Sequence, residues 1–178
     1  MGLNTFVITN AVVWVKPPGG TVQDLLGHTT SVEIDPPELI KEEFPGMGLF
    51  GTPEHIMGCE PMEATIEWSS VNRVIAGSVF NWRDTTQLQI RANLDRFGQP
   101  GKSEERPYVV TLDGVWTSFP IGNFNPREFA EFTSVFTVHR LKTEVEGIRV
   151  FEFDVYSNSW QTQSDGDLLE LFRSNLGV

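Results

Sequence analysis

Cysteine is nearly absent from this chain. Cys59 stands alone among 178 residues, so no internal disulfide can form, and we expect stability to come from packing and from contacts between subunits. Histidine is scarce as well, with three in the chain. His55 and Cys59 lie close in sequence, but two ligands fall short of the three or four that a zinc site needs. The sequence therefore predicts no metal site and no cofactor.

Positive charge is also in short supply. The chain has 13 Lys and Arg against 24 Asp and Glu, a net charge of -11. Such a chain repels phosphate backbones and anionic lipid, which argues against a nucleic-acid reader. Long hydrophobic runs are missing too, since the N-terminal AVVWV is too short for a membrane span or a signal peptide. We expect a protein made and kept in a cytoplasm, without a lipid anchor.

No convincing catalytic motif is present. The stretch GMGLFG, residues 46–51, has the spacing of a dinucleotide-binding turn, but its upstream flank is acidic and broken by prolines, and an alternating strand follows it. Two carboxylate pairs, Glu63 with Glu67 and Glu152 with Asp154, resemble those of hydrolases. Alternation along a solvated strand face produces such pairs without catalysis. The sequence predicts no catalytic residue and no enzyme.

Strict alternation of apolar and polar residues dominates the rest of the chain and predicts half-buried strands. The last two long segments are joined by a short loop in which Gly147 can adopt positive φ, which indicates a hairpin. These patterns predict a mainly β fold. The segments are Ala11–Val15, Ser31–Asp35, Glu63–Ser69, Thr86–Leu94, Tyr108–Trp116, Glu131–Lys142 and Ile148–Tyr156.

Helix signals are sparse. One helix is predicted at about 165–176, with Ser164 or Asp165 as its cap, and a second, short one in PREFAEF, residues 126–132. Apolar residues of the first helix recur at helical spacing, so we expect them to pack on the protein's own sheet. They are Leu168, Leu171 and Phe172.

The segment at about 38–62 is predicted to be a long assembly loop. It is rich in glycine and methionine and carries large apolar residues, unlike an ordinary solvent-exposed loop. Such a loop should pack on another subunit. The expected contact residues between subunits are Gly46, Met47, Gly48, Leu49 and Phe50.

Three stretches together resemble the major tail tube proteins of contractile-tailed bacteriophages and of related R-type bacteriocin particles. The first is the strand AVVWV followed by one ending in EIDPPEL. The second is FPGMGLFGTPEHIMGCEPMEATIEW, and the third is the ending DGDLLELFRSNLG. The likeness spans nearly the whole chain in the same order. The insertion-like PPGG, Pro17–Gly20, departs from the family pattern.

The resemblance implies a single tail tube domain over residues 1–178, with an antiparallel β-sandwich or barrel-like fold and one or two peripheral helices. It implies hexameric rings stacked into a tube within the virion tail, assembled in the host cytoplasm, that conducts DNA. The implied partners are other copies of the chain, the sheath, the baseplate or initiator, the terminator and the tape measure protein. Acidic residues on polar strand faces would line the lumen and repel DNA without binding it: Glu63, Glu67, Glu152 and Asp154.

Two alternatives remain open at this point. A tube of a tailocin or of a secretion-type contractile system would share the same architecture. In a different class, a small acidic β-barrel could act as a monomeric binding protein or hydrolase. The mass in solution and the presence of stacked rings separate that class from a tube protein.

Overall fold

The protein is described by a computed structural model at residues 5–48, 50–70, 73–98, 101–122 and 132–177. Most of these residues lie in antiparallel strands, which confirms the mainly β prediction. Two short helices, α1 (Arg73–Val79) and α2 (Glu170–Leu176), accompany the strands. The strands are β1 (Thr5–Lys16), β2 (Gln23–Asp24), β3 (Thr29–Ile34), β4 (Leu39–Glu43), β5 (Glu54–Cys59), β6 (Met62–Trp68), β7 (Thr86–Gly98), β8 (Gly101–Trp116), β9 (Phe132–Val145), β10 (Ile148–Asp154), β11 (Ser159–Thr162) and β12 (Gly166–Asp167).

Ten of these strands form one sheet that forks at β9. The main path runs β12-β11-β10-β9-β8-β7-β1-β2, and β6 joins β9 with β3 on its far side. The first part of β9 pairs with β6, through Val138, and the later part pairs with β10, from Arg140 onward. Along its other edge, β9 pairs with β8 from Phe136 to Val145. The strand therefore holds two branches of the sheet together.

The core lies on the inner faces of both branches. Alternation in β6 buries Ala64, Ile66 and Trp68, as the sequence predicts, and also Met62 at the start of the strand. Their side chains belong to the same cluster as buried residues of β1, β7, β8, β9 and β10, and Trp68 lies 6.1 Å from Trp116 of β8 between ring centroids. This packing of two branches over one core is sandwich-like, as expected.

The hairpin prediction around Gly147 is confirmed. β9 ends at Val145 and β10 begins at Ile148, so only Glu146 and Gly147 form the turn. Both have positive φ, 54° and 78°. Two-residue turns of this kind match the twist of the paired strands, and glycine adopts positive φ without steric cost.

The helices differ from the sequence prediction. α1 was not predicted, because RVIAGSV is short, contains a glycine and shows no clear helical spacing of its apolar residues. The C-terminal helix begins at Glu170 rather than near 165, because Gly166 and Asp167 pair with β11 instead. Its first residue follows Leu169, which provides no side-chain cap, so the predicted caps Ser164 and Asp165 are wrong. The predicted helix at residues 126–132 falls almost wholly outside the described residues.

The segment predicted as a long loop contains an independent hairpin. β4 and β5 form a separate two-stranded sheet, paired from Leu39↔Cys59 to Glu43↔Glu54.

The PPGG segment forms a turn in which Gly20 N–H donates to the Pro17 carbonyl at 3.1 Å. Neither helix among the described residues has the length and apolar character needed to cross a membrane.

Candidate assembly surfaces

The hairpin of β4 and β5, residues 39–59, projects as an arm with almost no burial of its own. All of β4 is exposed, and β5 is exposed up to Cys59. At its outer end Phe44 N–H donates to the Pro53 carbonyl at 2.9 Å, and the Phe44 ring meets His55 edge-on at 5.8 Å. This hydrogen bond extends the pairing of β4 and β5 by one residue beyond Glu43 and Glu54. Within the arm, Lys41 Nζ also pairs with Glu54 Oε2 at 3.5 Å. The hairpin arm is therefore a defined structure whose side chains are mostly exposed.

The arm tip, residues 44–53, presents the predicted contact residues to solvent. Relative exposures are 105% for Met47 and 109% for Phe50. Gly48 has φ of 84°, a conformation that favours glycine. The tip contains no charged residue, and Leu49 lies outside the described residues. Full exposure of large apolar side chains at a loop end is typical of a surface that becomes covered by another molecule.

Helix α2 does not pack in the predicted way. Leu168, Leu171 and Phe172 are 56%, 79% and 51% exposed, so the expectation that they pack on the protein's own sheet is wrong. Polar contacts hold the helix instead. Asp167 Oδ2 pairs with Arg173 Nη2 at 2.6 Å, and its Oδ1 accepts from Leu169 N–H at 3.0 Å. The hydrogen bond from Arg173 is the main cause that lowers the pKa of the Asp167 carboxyl.

An apolar cleft of about 530 Å³ lies between the base of the hairpin arm, the middle of β9 with the end of β10, and α2. Its walls come from residues far apart in sequence, so no local motif could reveal it. Burial raises the pKa of the Cys59 thiol, with the neighbouring Glu60 carboxylate adding to the effect. The apolar side chains that line the cleft include Ile56, Met57, Val138, Phe153, Trp160, Leu169 and Phe172.

The polar side of the main sheet carries the predicted lumen residues Glu152 and Asp154. In the register of β9 and β10, Glu152 lies opposite Lys142 and Asp154 opposite Arg140. Arg140 Nη2 donates to Glu152 Oε1 at 2.7 Å, and its Nη1 donates to Asp113 Oδ2 of β8 at 3.0 Å. A chain of ion pairs therefore crosses three neighbouring strands on this side.

The charge of Glu152 is compensated locally. Arg149 Nη1 also donates to Glu152 Oε2, at 3.0 Å. Partial burial opposes ionisation of Glu152, but hydrogen bonds and attraction from Arg140 and Arg149 outweigh it and lower the pKa of the carboxyl. The hydrogen bond to Glu152 is the main cause that raises the pKa of Arg140, and Asp113 adds to it. Glu152 is thus an ionised group shared between two guanidinium groups.

The other three predicted lumen residues have different surroundings. Glu63 and Glu67 are exposed on β6, on the other branch of the fork, and Glu67 Oε2 accepts from Ser31 Oγ at 2.6 Å. Asp154 Oδ1 accepts from the N–H groups of Tyr156 and Ser157 at 2.9 and 3.2 Å. The structure therefore brings Glu152 and Asp154 together with Arg140 and places the β6 pair elsewhere along β9.

Acid sensitivity should reveal the ion pairs of Glu152. Its folded-state pKa is below the ordinary value of 4.5, so these pairs stabilise the fold above that pH and are lost as pH falls through the folded-state pKa. We expect the free energy of unfolding of Glu152→Gln to decline less steeply than that of wild type below about pH 4.5. Urea titrations over this range measure the slope. Glu63→Gln, which removes an exposed charge, is the control, and equal slopes for wild type and Glu152→Gln would contradict the prediction.

Open strand edges form a further surface. β1 pairs with β7 along most of its length, but in the described part of the chain its other edge is covered only near its end, by β2 at Trp14 and Val15 and by the Leu25 N–H, which donates to the Val13 carbonyl at 2.8 Å. The outer portion of β1 is therefore an unpaired edge, which exposes Phe6, Val7 and Ile8. At the opposite end, the sheet terminates in the two-residue β12. Unpaired edges are sites where another chain can add strands.

Metal chemistry finds no support in the described ranges, where no group of three or more His, Cys, Asp and Glu residues is placed to hold an ion. His55 packs its ring on Phe44, and Cys59 lies at the base of the arm.

Arg140 is the main residue that the sequence interpretation missed. Its role becomes visible once β8, β9 and β10 are aligned, because the register places it between Asp113 and Asp154.

Comparison with known proteins gives a family for this arrangement of sheet, arm and helix. The family model described as phage tail tube protein FII matches residues 8–177. A search of curated proteins gives no match. The family match covers all three stretches that carried the resemblance in the sequence, including the PPGG segment, and it includes the hairpin arm and α2. The chain therefore belongs to the phage tail tube protein FII family.

Proposed function

We propose that the chain forms hexameric rings that stack into the inner tube of a contractile phage tail and conduct DNA during ejection. The family is one of structural tail tube proteins, which imply self-assembly and association with other tail components. The observation that carries the proposal is the uncharged tip of the hairpin arm, in which Met47 and Phe50 are fully exposed, on a chain of that family. A surface of this kind is costly in a monomer and useful in an assembly.

Lateral contacts would join the open edges of the sheet. The exposed edge of β1 lies at one end of the main path and the short strand β12 at the other. Pairing between such edges on neighbouring copies would close six sheets into one continuous barrel and remove the unpaired backbone groups. A closed ring follows if each contact rotates the next copy by the same angle.

The polar side of the sheet would face the lumen. Glu63, Glu67, Glu152 and Asp154 are then the candidate lining residues, in a chain whose net charge is -11. Repulsion of phosphates would keep the duplex from adhering, over a distance of about 8 Å at physiological salt. Because Arg140 and Arg149 compensate Glu152, the exposed carboxylates of Glu63 and Glu67 would contribute more of this repulsion.

The proposal places the protein in the virion tail after assembly in the host cytoplasm. Its partners would be the surrounding sheath, the baseplate or initiator below, the terminator above, and the tape measure protein and then DNA inside. A tailocin or secretion-type tube would use the same contacts between copies, without DNA in its lumen. The cargo found inside particles isolated from the native host distinguishes these two cases.

Electron microscopy of the concentrated protein tests the proposal directly. Negative stain should show rings with a central hole, stacked into tubes, and the sedimenting mass should far exceed the 20.0 kDa of one chain. If the protein remains at 20.0 kDa at high concentration, even when short preformed tubes are added as seeds, the proposal is wrong and a monomeric β-barrel function is favoured.

Phe50→Asp should raise the critical concentration for assembly at least roughly tenfold, because loss of an apolar contact residue at an interface costs about 2 kcal/mol or more. Leu26→Asp places the same charge at another exposed apolar site, outside the arm, and is the control. Pelleting assays across a concentration series measure both variants. Assembly of Phe50→Asp at the wild-type concentration would show that the arm tip plays no part.

A further inference from the structure

The arm tip and the apolar cleft have complementary properties. The tip presents Met47 and Phe50 fully to solvent, and the cleft exposes walls that are largely apolar. We propose that the arm tip of one copy inserts into the apolar cleft of a copy in the next ring. This inference rests on the proposed tube function and assigns the surface that receives the arm.

The cleft has the size and chemistry of a receptor for large apolar side chains. Its volume of about 530 Å³ lies within the range of about 300–1,000 Å³ typical of binding pockets. Phe172 of α2 is half exposed on one side, and Ile56 of β5 is exposed on the other. Burial of one aromatic side chain in such a site contributes about 1.5–3 kcal/mol. Contacts of that size, repeated around a ring, add up to a stable junction.

A tip cannot fill the cleft of its own chain. The arm lines the cleft from Leu39 up to Ile56, which pairs with Lys41, and its ladder continues for two more residue pairs to Glu43↔Glu54. At about 3.4 Å per residue, Glu43 lies roughly 7 Å beyond this part of the cleft wall, and the tip lies further still. The paired ladder and the Phe44 N–H contact to Pro53 prevent the arm from folding back. The occupant must therefore come from another molecule.

A second copy of this chain is the occupant that the charges favour. Each copy carries a net charge of -11, so an approaching segment with carboxylates would be repelled. The tip, residues 44–53, has no charge at all. Insertion of a tip into the cleft of another copy is also a head-to-tail contact, and repetition of such a contact continues along an axis when the rotation between copies does not close a ring. The arm would thus stack rings while the sheet edges close them.

Cross-linking across copies tests the inference, because Cys59 already lies in the cleft. In assembled Phe50→Cys tubes, a short flexible bis-maleimide at mildly alkaline pH should join the two thiols and produce a ladder of covalent multimers on a denaturing gel. Phe50→Cys combined with Cys59→Ser, and Leu26→Cys in the native background, should give no ladder. Met47→Cys provides a second position if Phe50→Cys does not assemble.

A cleft variant supplies a measurement that leaves the arm untouched. Phe172→Asp should raise the critical concentration at least roughly tenfold. Leu171→Asp adds the same charge one position earlier, at a residue that does not line the cleft, and should assemble like wild type. Tubes that form without a cross-link and with a normal Phe172→Asp variant would overturn the cleft assignment and leave the tube function standing. Absence of tubes from the unmodified protein would overturn both.

Discussion

Gly114→Ala is expected to unfold the protein or to lower its stability more than any other conservative change considered for this chain. A Cβ at this position would lie 2.0 Å from the Thr137 carbonyl oxygen and 2.8 Å from Phe136 Cε1. The first of these is a backbone atom, so the strand itself would have to move. Overpacking a core usually costs about 1–3 kcal/mol, and a clash with backbone lies at or above the upper end. A domain is stable by only about 5–15 kcal/mol in total.

Thermal and urea unfolding measure this effect, and Gly77→Ala is the matched control. Gly77 lies in α1 with nothing within 4 Å of the added carbon, so the same substitution should be neutral or stabilise the helix by up to about 1 kcal/mol. A Gly114→Ala protein with a wild-type unfolding midpoint would show that β8 and β9 do not approach as closely as described. The reason for the close approach is the irregular register between Asp113 and Gly114.

Phe136→Ala is the second change with a large expected effect. Phe136 is fully buried at 0% exposure, and its ring contacts Trp116 edge-on at 4.9 Å. In the register of the sheet it pairs with Ala64 of β6 on one side and Trp116 of β8 on the other. Truncation of a buried phenylalanine removes its hydrophobic transfer energy and leaves a cavity, at a combined cost of about 3–5 kcal/mol.

Urea unfolding at neutral pH should therefore give a free energy of unfolding lower by that amount. Phe97→Ala, at a residue 41% exposed near the end of β7, should change it far less. A loss below about 1 kcal/mol for Phe136→Ala would mean that the branches of the sheet are not held together at this point. Because Phe136 lies where β9 leaves β6 for β10, its loss should loosen both branches together.

This position at the fork would connect stability with the proposed assembly. β10 carries Glu152 and Asp154, and the apolar cleft is built where β9 turns from one branch to the other. A shift of β9 would move the cleft walls Val138 and Phe153. We therefore expect core variants at the fork to weaken assembly through stability, whereas Phe50→Asp and Phe172→Asp should act on assembly with little change in unfolding.

The strands were predictable because alternation is a local property. In β6, for example, the pattern read from the sequence is also the burial pattern, since successive side chains of a strand point to opposite faces. The β9–β10 hairpin was predictable for a similar reason, as Gly147 permits the turn. The surface character of Met47 and Phe50 was also indicated locally, by an apolar segment without the alternation of a strand.

Long-range placement was not predictable in the same way. Helical spacing of Leu168, Leu171 and Phe172 indicated a packed helix. Asp167, however, belongs to β12, and its ion pair with Arg173 holds α2 in an orientation that leaves those side chains exposed. Equally, Arg140 acquires its partners only through the pairing of β8, β9 and β10.

The sequence by itself determined that this is an acidic, mainly β chain of the tail tube family, and it predicted that an apolar, glycine-rich segment contacts another molecule. Those conclusions depend on composition, two-residue periodicity and motifs, which need no knowledge of distant neighbours. Only the tertiary structure decided that the segment is a stiff arm, that a cleft lies at its base, and that Glu152 shares two arginines. Each of these depends on which strands lie side by side, and strand pairing joins residues far apart in the chain.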